Sequence, residues 1–305
     1  MSKELVSSQI LQSLSTAITE VAEKVAPSVV SVGDGRGVGS GVVWREDGYI
    51  VTCSHVIRER STVSVGLGEG RTVEARVIGR DPYSDVAVLK ADGVPLKPVE
   101  LGDPESLQVG SFVLAVANPF GRRPSATSGI VTSPRSSIRG WWGAMLENVI
   151  VTDARLNPGY SGGPLIDAAG QMVGLNTAYI SSRGIAVPVT KVKGIVEKLI
   201  RDGRIRRAYL GVVSQTVDLP PDIATEPRIN QDEGLILISV EPESPAKQAG
   251  LALGDTLLRF GDKPVKTLSD LHVVLTEDAI GKPVNLSILR GGKLVELTIT
   301  PGERT

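Results

Sequence analysis

What limits the fold of this chain most is a change of period at Pro27. Before it, Leu11, Leu14, Ile18, Val21 and Val25 recur at steps of three and four, the spacing that gives a helix one apolar face. After it, from Ser28 to about Pro188, apolar residues come in short runs separated by turn signals. Val29-Val30-Ser31-Val32, Gly41-Val42-Val43-Trp44, Tyr49-Ile50-Val51, Val86-Ala87-Val88-Leu89, Phe112-Val113-Leu114-Ala115-Val116 and Met172-Val173-Gly174-Leu175 are the clearest. Asp47-Gly48, between two of them, is a dipeptide that favours a hairpin, because glycine reaches positive φ without strain. Many short strands at this spacing bury their side chains in a barrel or a sandwich, so the expected class is mainly β. Lys191 to Ile200, with Val192, Ile195, Val196 and Leu199 in helical spacing, reads as a closing helix.

A second pattern follows, as a length of 305 residues allows. Arg201, Arg204, Arg206 and Arg207 surround Asp202-Gly203 in what reads as a polar linker. Residues 208–303 read as a smaller α+β module, with strands at Gly211–Val217, Leu235–Val240, Thr256–Phe260, Val284–Leu289 and Leu294–Ile299. Ser244-Pro245-Ala246 supplies a capping serine and a first-turn proline for one helix, which Gly250 stops; Ser269 to Asp278 is the other. The expected division is an N-terminal helix at 1–25, a β domain at 26–203 and the α+β module at 208–303. The first helix either packs on its own domain or meets another subunit; Glu4, Glu20, Glu23 and Lys24 form no basic face for a membrane.

Composition narrows the function. Lys+Arg 33 against Asp+Glu 34 and 4% aromatics give no basic surface or stacking platform, so no nucleic-acid partner is expected. With Cys53 alone, neither a disulfide nor a cysteine-based metal site is expected. Neither a P-loop nor His-Glu-x-x-His occurs, so no nucleotide, metal or other cofactor is expected. Residues 1–25 lack the apolar core of a signal peptide, and no run is long enough to span a bilayer. Either the protein stays in the cytosol or an export segment has been removed.

The chemistry points to acyl transfer. Ser161 sits in Asn157-Pro158-Gly159-Tyr160-Ser161-Gly162-Gly163-Pro164, where glycine permits a tight turn and close approach of a substrate carbonyl to main-chain N–H groups. A serine nucleophile needs a base of near-neutral pKa, and His55 is the only histidine in the first 271 residues. Asp85 opens an apolar strand and is the candidate to orient that imidazole; Asp81 is the neighbour most easily confused with it. In this reading Ser161 attacks, His55 moves the proton, Asp85 fixes the tautomer, and the N–H groups of Gly159 and Ser161 form the oxyanion hole. Taken singly, such a serine is an ordinary turn residue, His55 a structural histidine and Asp85 a helix cap or surface charge. Cys53 reads as a small buried filler, with a reactive thiol beside the imidazole as the alternative.

Together with Gly39-Ser40-Gly41, Asn118-Pro119-Phe120-Gly121, Thr127-Ser128-Gly129-Ile130-Val131, Thr152-Asp153-Ala154 and Gly174-Leu175-Asn176-Thr177-Ala178, these segments resemble trypsin-like serine proteases, most closely the HtrA (Deg) family. The resemblance runs from about Ala26 to Pro301. It implies a chymotrypsin-like double β-barrel with the triad between the barrels, and a PDZ domain after it. Tyr209, Leu210, Gly211 and Val212 look like the PDZ loop that holds a peptide's C-terminal carboxylate, with Leu271 and Val274 or Leu275 lining the pocket for the terminal side chain. The implied activity is ATP-independent endoproteolysis of unfolded or damaged proteins, in a homotrimer or larger assembly. The alternative is a non-proteolytic holdase or scaffold working through the PDZ groove.

The chain departs from the family pattern in three places. Tyr160 replaces the usual asparagine before the nucleophile, Cys53-Ser54 precedes His55, and the loop Ile180-Ser181-Ser182-Arg183-Gly184 is short. Leu156, Tyr179 and Ile185 are expected to line an aliphatic specificity pocket. Trp141-Trp142 reads either as core or as a subunit or regulatory contact.

Overall fold

A computed structural model describes residues 3–33, 39–139, 145–180, 182–225 and 229–303. They form two compact units, residues 1–205 and 206–305. In the first, helix α1 (Lys3–Val25) precedes two six-stranded closed barrels. The change of period at Pro27 is realised as a single 3-10 turn, Ala26–Ser28, that delivers the chain into β1. Ile18, Val21 and Val25 of α1 pack on a core cluster drawn from both barrels, while Ile10, Leu11 and Leu14 are exposed.

The first barrel comprises β1 (Val29–Gly33), β2 (Gly39–Val43), β3 (Tyr49–Thr52), β4 (Thr62–Gly68), β5 (Arg71–Asp81) and β6 (Val86–Lys90), closed by β1 against β4. A short helix, α2 (Ser54–Ile57), follows β3. Gly48 turns the β2–β3 hairpin at φ 95°, and a Cβ there would lie 2.0 Å from the Ala91 carbonyl oxygen, so glycine is required. The second barrel is built from β7 (Phe112–Ala117), β8 (Ser125–Arg139), β9 (Met145–Thr152), β10 (Pro164–Asp167), β11 (Met172–Ile180) and β12 (Arg183–Pro188), closed by β7 against β10. Helix α3 (Val189–Asp202) turns Val192, Val196 and Leu199 into the core, and Gly203 ends it in the left-handed conformation. The expected double barrel is therefore observed. Trp141 and Trp142 lie outside the described residues.

The second unit carries β13 (Ala208–Tyr209), β14 (Val212–Asp218), α4 (Pro221–Ala224), β15 (Glu233–Val240), α5 (Pro245–Gln248), β16 (Thr256–Phe260), β17 (Lys263–Pro264), α6 (Leu268–Val274), β18 (Val284–Arg290), β19 (Lys293–Ile299) and β20 (Gly302–Glu303). The main sheet runs β14-β15-β16-β18-β19, leaving β14 at an edge beside α6. Ser244 caps α5 by accepting from the Lys247 N–H. The last helix is shorter than its periodicity predicts. Leu275 leaves helical geometry at ψ 57°, and only a 3-10 turn, Glu277–Ala279, follows. Arg206, in the expected polar linker, pairs with Glu303 at 2.6 Å and Glu277 at 3.6 Å.

Candidate active site

Asp85 is the last residue of the turn before β6 and holds φ 58°, a left-handed conformation that aspartate tolerates better than most residues. This turn aims its buried carboxylate at α2. The His55 N–H donates to Oδ1 at 3.0 Å, and His55 Nδ1 lies 2.7 Å from Oδ2. The Ser54 N–H donates to the Asp85 carbonyl at 3.1 Å, so main chain and side chain of one residue grip the start of α2. His55 keeps 25% of its side-chain surface exposed against 3% for Asp85. The imidazole is therefore reachable from solvent while the carboxylate is not. Asp81 is buried too, but accepts from the Ser84 hydroxyl at 2.7 Å within the turn itself.

Ser161 lies in a turn fastened to the first barrel by Ser40 of β2. The Ser40 N–H donates to the Ser161 carbonyl at 2.9 Å, and the Ser40 hydroxyl donates to the Gly159 carbonyl at 2.7 Å. The same hydroxyl accepts from the Asn118 N–H at 2.8 Å. Gly162, at φ 85°, brings the turn so close that a Cβ would stand 2.1 Å from the Ser40 carbonyl oxygen. Gly159 holds φ 90°, and the N–H groups of Gly159 and Ser161 have no acceptor among the described residues. Two unclaimed N–H groups in a preset turn are what an oxyanion requires. Ser40→Ala is expected to lower kcat by about 10- to 100-fold, less than outright loss of an oxyanion donor. It also orphans the buried Asn118 N–H, at about 1–3 kcal/mol of stability. Steady-state kinetics and thermal unfolding of the variant check both numbers.

Asn176 and Thr177 join the parts. Thr177 lies where the β11–β12 register shifts between Asn176 and Ala178. Its hydroxyl donates to Asp85 Oδ2, and its carbonyl accepts from the Ser161 hydroxyl at 2.9 Å. The serine therefore meets Asp85 through Thr177, and its hydroxyl rests on a main-chain carbonyl. The Asn176 carbonyl accepts from the Gly162 N–H at 2.8 Å and from Cys53 Sγ at 3.2 Å. Burial first, then the neighbouring Asp85 carboxylate, push the Cys53 thiol well above its ordinary range, so it is neutral. Tyr160 is buried in the second barrel's core with Leu107, Leu156 and Leu165, which anchors the nucleophile turn by packing.

Residues 39–175 match the trypsin-like peptidase domain and residues 209–300 the PDZ domain. The putative serine protease HhoB of Synechocystis sp. is 36% identical over 279 residues, covering 88% of this chain and 67% of that protein. A probable periplasmic DegP-like serine endoprotease of Chlamydia trachomatis is 35% identical, covering 86% and 53%. The crystal structure of the serine endoprotease from Yersinia pestis superposes with a TM-score of 0.74 at 30% identity, covering 94% of this chain and 98% of that one. The HtrA-type protease AlgW with a decapeptide gives 0.76 at 28%, covering 93% and 98%. The chain belongs to the HtrA family of serine proteases. It spans between about half and two thirds of the length of the two curated relatives. Among the described residues, no helix of this HtrA chain is long and apolar enough to cross a membrane.

Two of the residues expected to line the specificity pocket lie in different buried clusters. Leu156 is buried in the second-barrel core, but Ile185 is buried among Leu146, Val149 and Val151, a separate cluster. Alternation along β12 turns Gly184 toward Leu156 instead: a Cβ on Gly184 would lie 3.2 Å from Leu156 Cγ. The Tyr179 side chain lies outside the described residues. In the second unit, Leu210 is buried and Gly211 holds φ 80° against Ser244. The carbonyls of Leu210 and Gly211 accept from Ala246 and Glu241, while their N–H groups have no acceptor among the described residues. Tyr209 donates its hydroxyl to Glu241, and Val212 opens β14. Leu271 and Val274 are buried on α6, with Leu275 half-buried at its end. His272 is on the same helix, in the second unit.

Sequence reasoning assigned no role to Ser40, Thr177 or Asn176. Each is a small polar residue inside a strand, and that was the available signal.

Proposed function

We propose that this HtrA chain is a serine endopeptidase in which Ser161 attacks the peptide carbonyl, His55 relays the proton and Asp85 orients the imidazole. The observation that carries this is the double hold of Asp85 on His55, through the main-chain N–H and Nδ1. It leaves the imidazole one orientation and one tautomer, with Nε2 as the acceptor. The Ser161 hydroxyl leaves the Thr177 carbonyl for Nε2 by rotation about χ1 and adds to the carbonyl carbon. The developing oxyanion is met by the Gly159 and Ser161 N–H groups. The imidazolium then protonates the leaving amine, and water repeats the cycle in reverse.

The substrates proposed are unfolded or damaged polypeptides, cleaved without ATP. The second unit recruits them by their C-termini: the N–H groups of Leu210 and Gly211 take the carboxylate, and the last residues add as a strand to the edge of β14 beside α6. Exposed Ile10, Leu11, Leu14 and Phe120 support assembly through the first unit, with a homotrimer as the proposed form.

A fluorescent phosphonate that reacts only with activated serines tests the mechanism. Labelling is expected at Ser161, absent in His55→Ala, and faster with an unfolded polypeptide ending in a carboxylate than with its amide. Labelling that persists in His55→Ala rejects the base, and equal acceleration by acid and amide rejects C-terminal recruitment. Suppression of aggregation by an unlabelled protein would favour the holdase reading.

A further inference from the structure

The Cys53 thiol takes no part in the proposed acyl transfer, yet it occupies the same buried corner. Its Sγ, an imidazole nitrogen of His55 and a carboxylate oxygen of Asp85 all lie within 4.8 Å of one another. A single cysteine makes a site built on cysteine pairs impossible, but the fold assembles a mixed set that sequence spacing does not reveal. We propose that Cys53, His55 and Asp85 form an inhibitory binding site for a divalent cation of the zinc class. The inhibition rests on His55 being the catalytic base; the binding does not.

The donor set selects the metal. Thiolate and imidazole suit zinc and similar borderline-soft ions, whereas magnesium and calcium prefer oxygen ligands throughout. Zinc bonds of about 2.0–2.3 Å place tetrahedral ligand atoms roughly 3.3–3.8 Å apart. The 2.7 Å contact between Nδ1 and Oδ2 must therefore open by well under an ångström for nitrogen and oxygen, with Sγ moving inward. The partly exposed imidazole gives the ion a way in from solvent, and water completes the coordination.

Charge favours the complex. A second anion beside buried Asp85 is opposed while the corner holds no cation, and the thiol stays protonated there. A divalent cation balances one thiolate and one carboxylate, leaving a buried neutral cluster. On binding, the S–H bond breaks and its proton leaves to water, while the imidazole proton moves from Nδ1 to Nε2. One proton is released per cation. The Asn176 carbonyl loses its bond from Sγ but keeps the one from Gly162. With Nε2 now a donor, His55 cannot accept the Ser161 proton, and the enzyme is silent.

The test begins with tag-free Ser161→Ala protein titrated with Co2+ in place of zinc. A sulfur-to-cobalt charge-transfer band that saturates at one equivalent, and that Zn2+ displaces, is expected. Cys53→Ser and Cys53→Ala in that background should lose the band; the alanine variant serves if the serine variant folds poorly. With Ser161 intact, Zn2+ is expected to inhibit and a chelator to restore hydrolysis. Scored against its own metal-free rate, each Cys53 variant should need about 100-fold or more Zn2+ for half-inhibition, because loss of a ligand exceeds the 10- to 100-fold cost of losing an outer partner. Absence of the cobalt band, or inhibition unchanged by loss of the sulfur, overturns the site. Failure of the catalytic reading looks different: cobalt still binds, but proteins with and without Ser161 hydrolyse substrate equally.

Discussion

Ser161→Ala is expected to lower kcat/KM on an unfolded protein substrate by about 10⁴- to 10⁶-fold, the range in which members of a triad act as a unit. The residual rate comes from substrate binding and from the Gly159 and Ser161 N–H groups, which the substitution leaves in place. Their placement depends on the Gly159, Gly162 and Ser40 contacts, and Ser40 reaches the nucleophile turn through the main-chain carbonyls of Gly159 and Ser161, which the substitution does not touch. Among the described residues, the interaction removed is the hydroxyl's bond to the Thr177 carbonyl, so stability is expected to change by about 1 kcal/mol. Initial rates on a casein-type substrate, with thermal unfolding as control, check both numbers. Comparable rates from the two proteins would remove Ser161 from the chemistry and leave a peptide-binding protein.

The parts legible in the sequence are those where chemistry or backbone geometry restricts residue type. An imidazole was required, and only His55 was available before residue 272. Glycine is required at Gly48, Gly159 and Gly162, where positive φ coincides with backbone or side-chain atoms that a Cβ would strike. The apolar runs of β1, β2, β3, β6, β7 and β11 declared themselves because both barrels bury them. The strand β8 did not, since Ser125–Arg139 is mostly polar and contains Pro134. It forms because β7 and β9 supply ladders on both sides, and its register with β9 shifts around that proline, where a missing N–H is tolerated. The burial of Ile185 away from Leu156 was not legible for another reason. Proximity in sequence cannot tell which face of β12 a residue takes until its partners are known, and one step along the strand exchanges Gly184 for Ile185. Ser40 and Thr177 act through hydrogen bonds to residues about 80 to 120 positions away, a relation that no local pattern encodes.

Asp85→Asn should be the second most damaging change, although it alters neither size nor shape. Asp85 receives three donors: the His55 N–H on Oδ1, and His55 Nδ1 and the Thr177 hydroxyl on Oδ2. A carboxylate accepts all three, but an amide must point its NH₂ at one side. With NH₂ at the Oδ2 position, the imidazole is driven to the tautomer whose Nε2 carries the proton, and the base cannot accept from Ser161. With NH₂ at the Oδ1 position, donor faces donor at the His55 N–H, and the start of α2 is pushed off its seat. Either orientation buries a mismatch, at about 1–3 kcal/mol. The rate should fall by about 10⁴-fold, the size measured for the equivalent change in another triad, with KM little altered. Thr177→Val separates the two orientations. Without the hydroxyl, an amide at the Oδ2 position meets one donor fewer, so Asp85→Asn should destabilise the protein less in that background than alone. A double-mutant cycle on unfolding free energy reads this coupling directly. Additive effects would mean that the Thr177 bond does not act through Asp85.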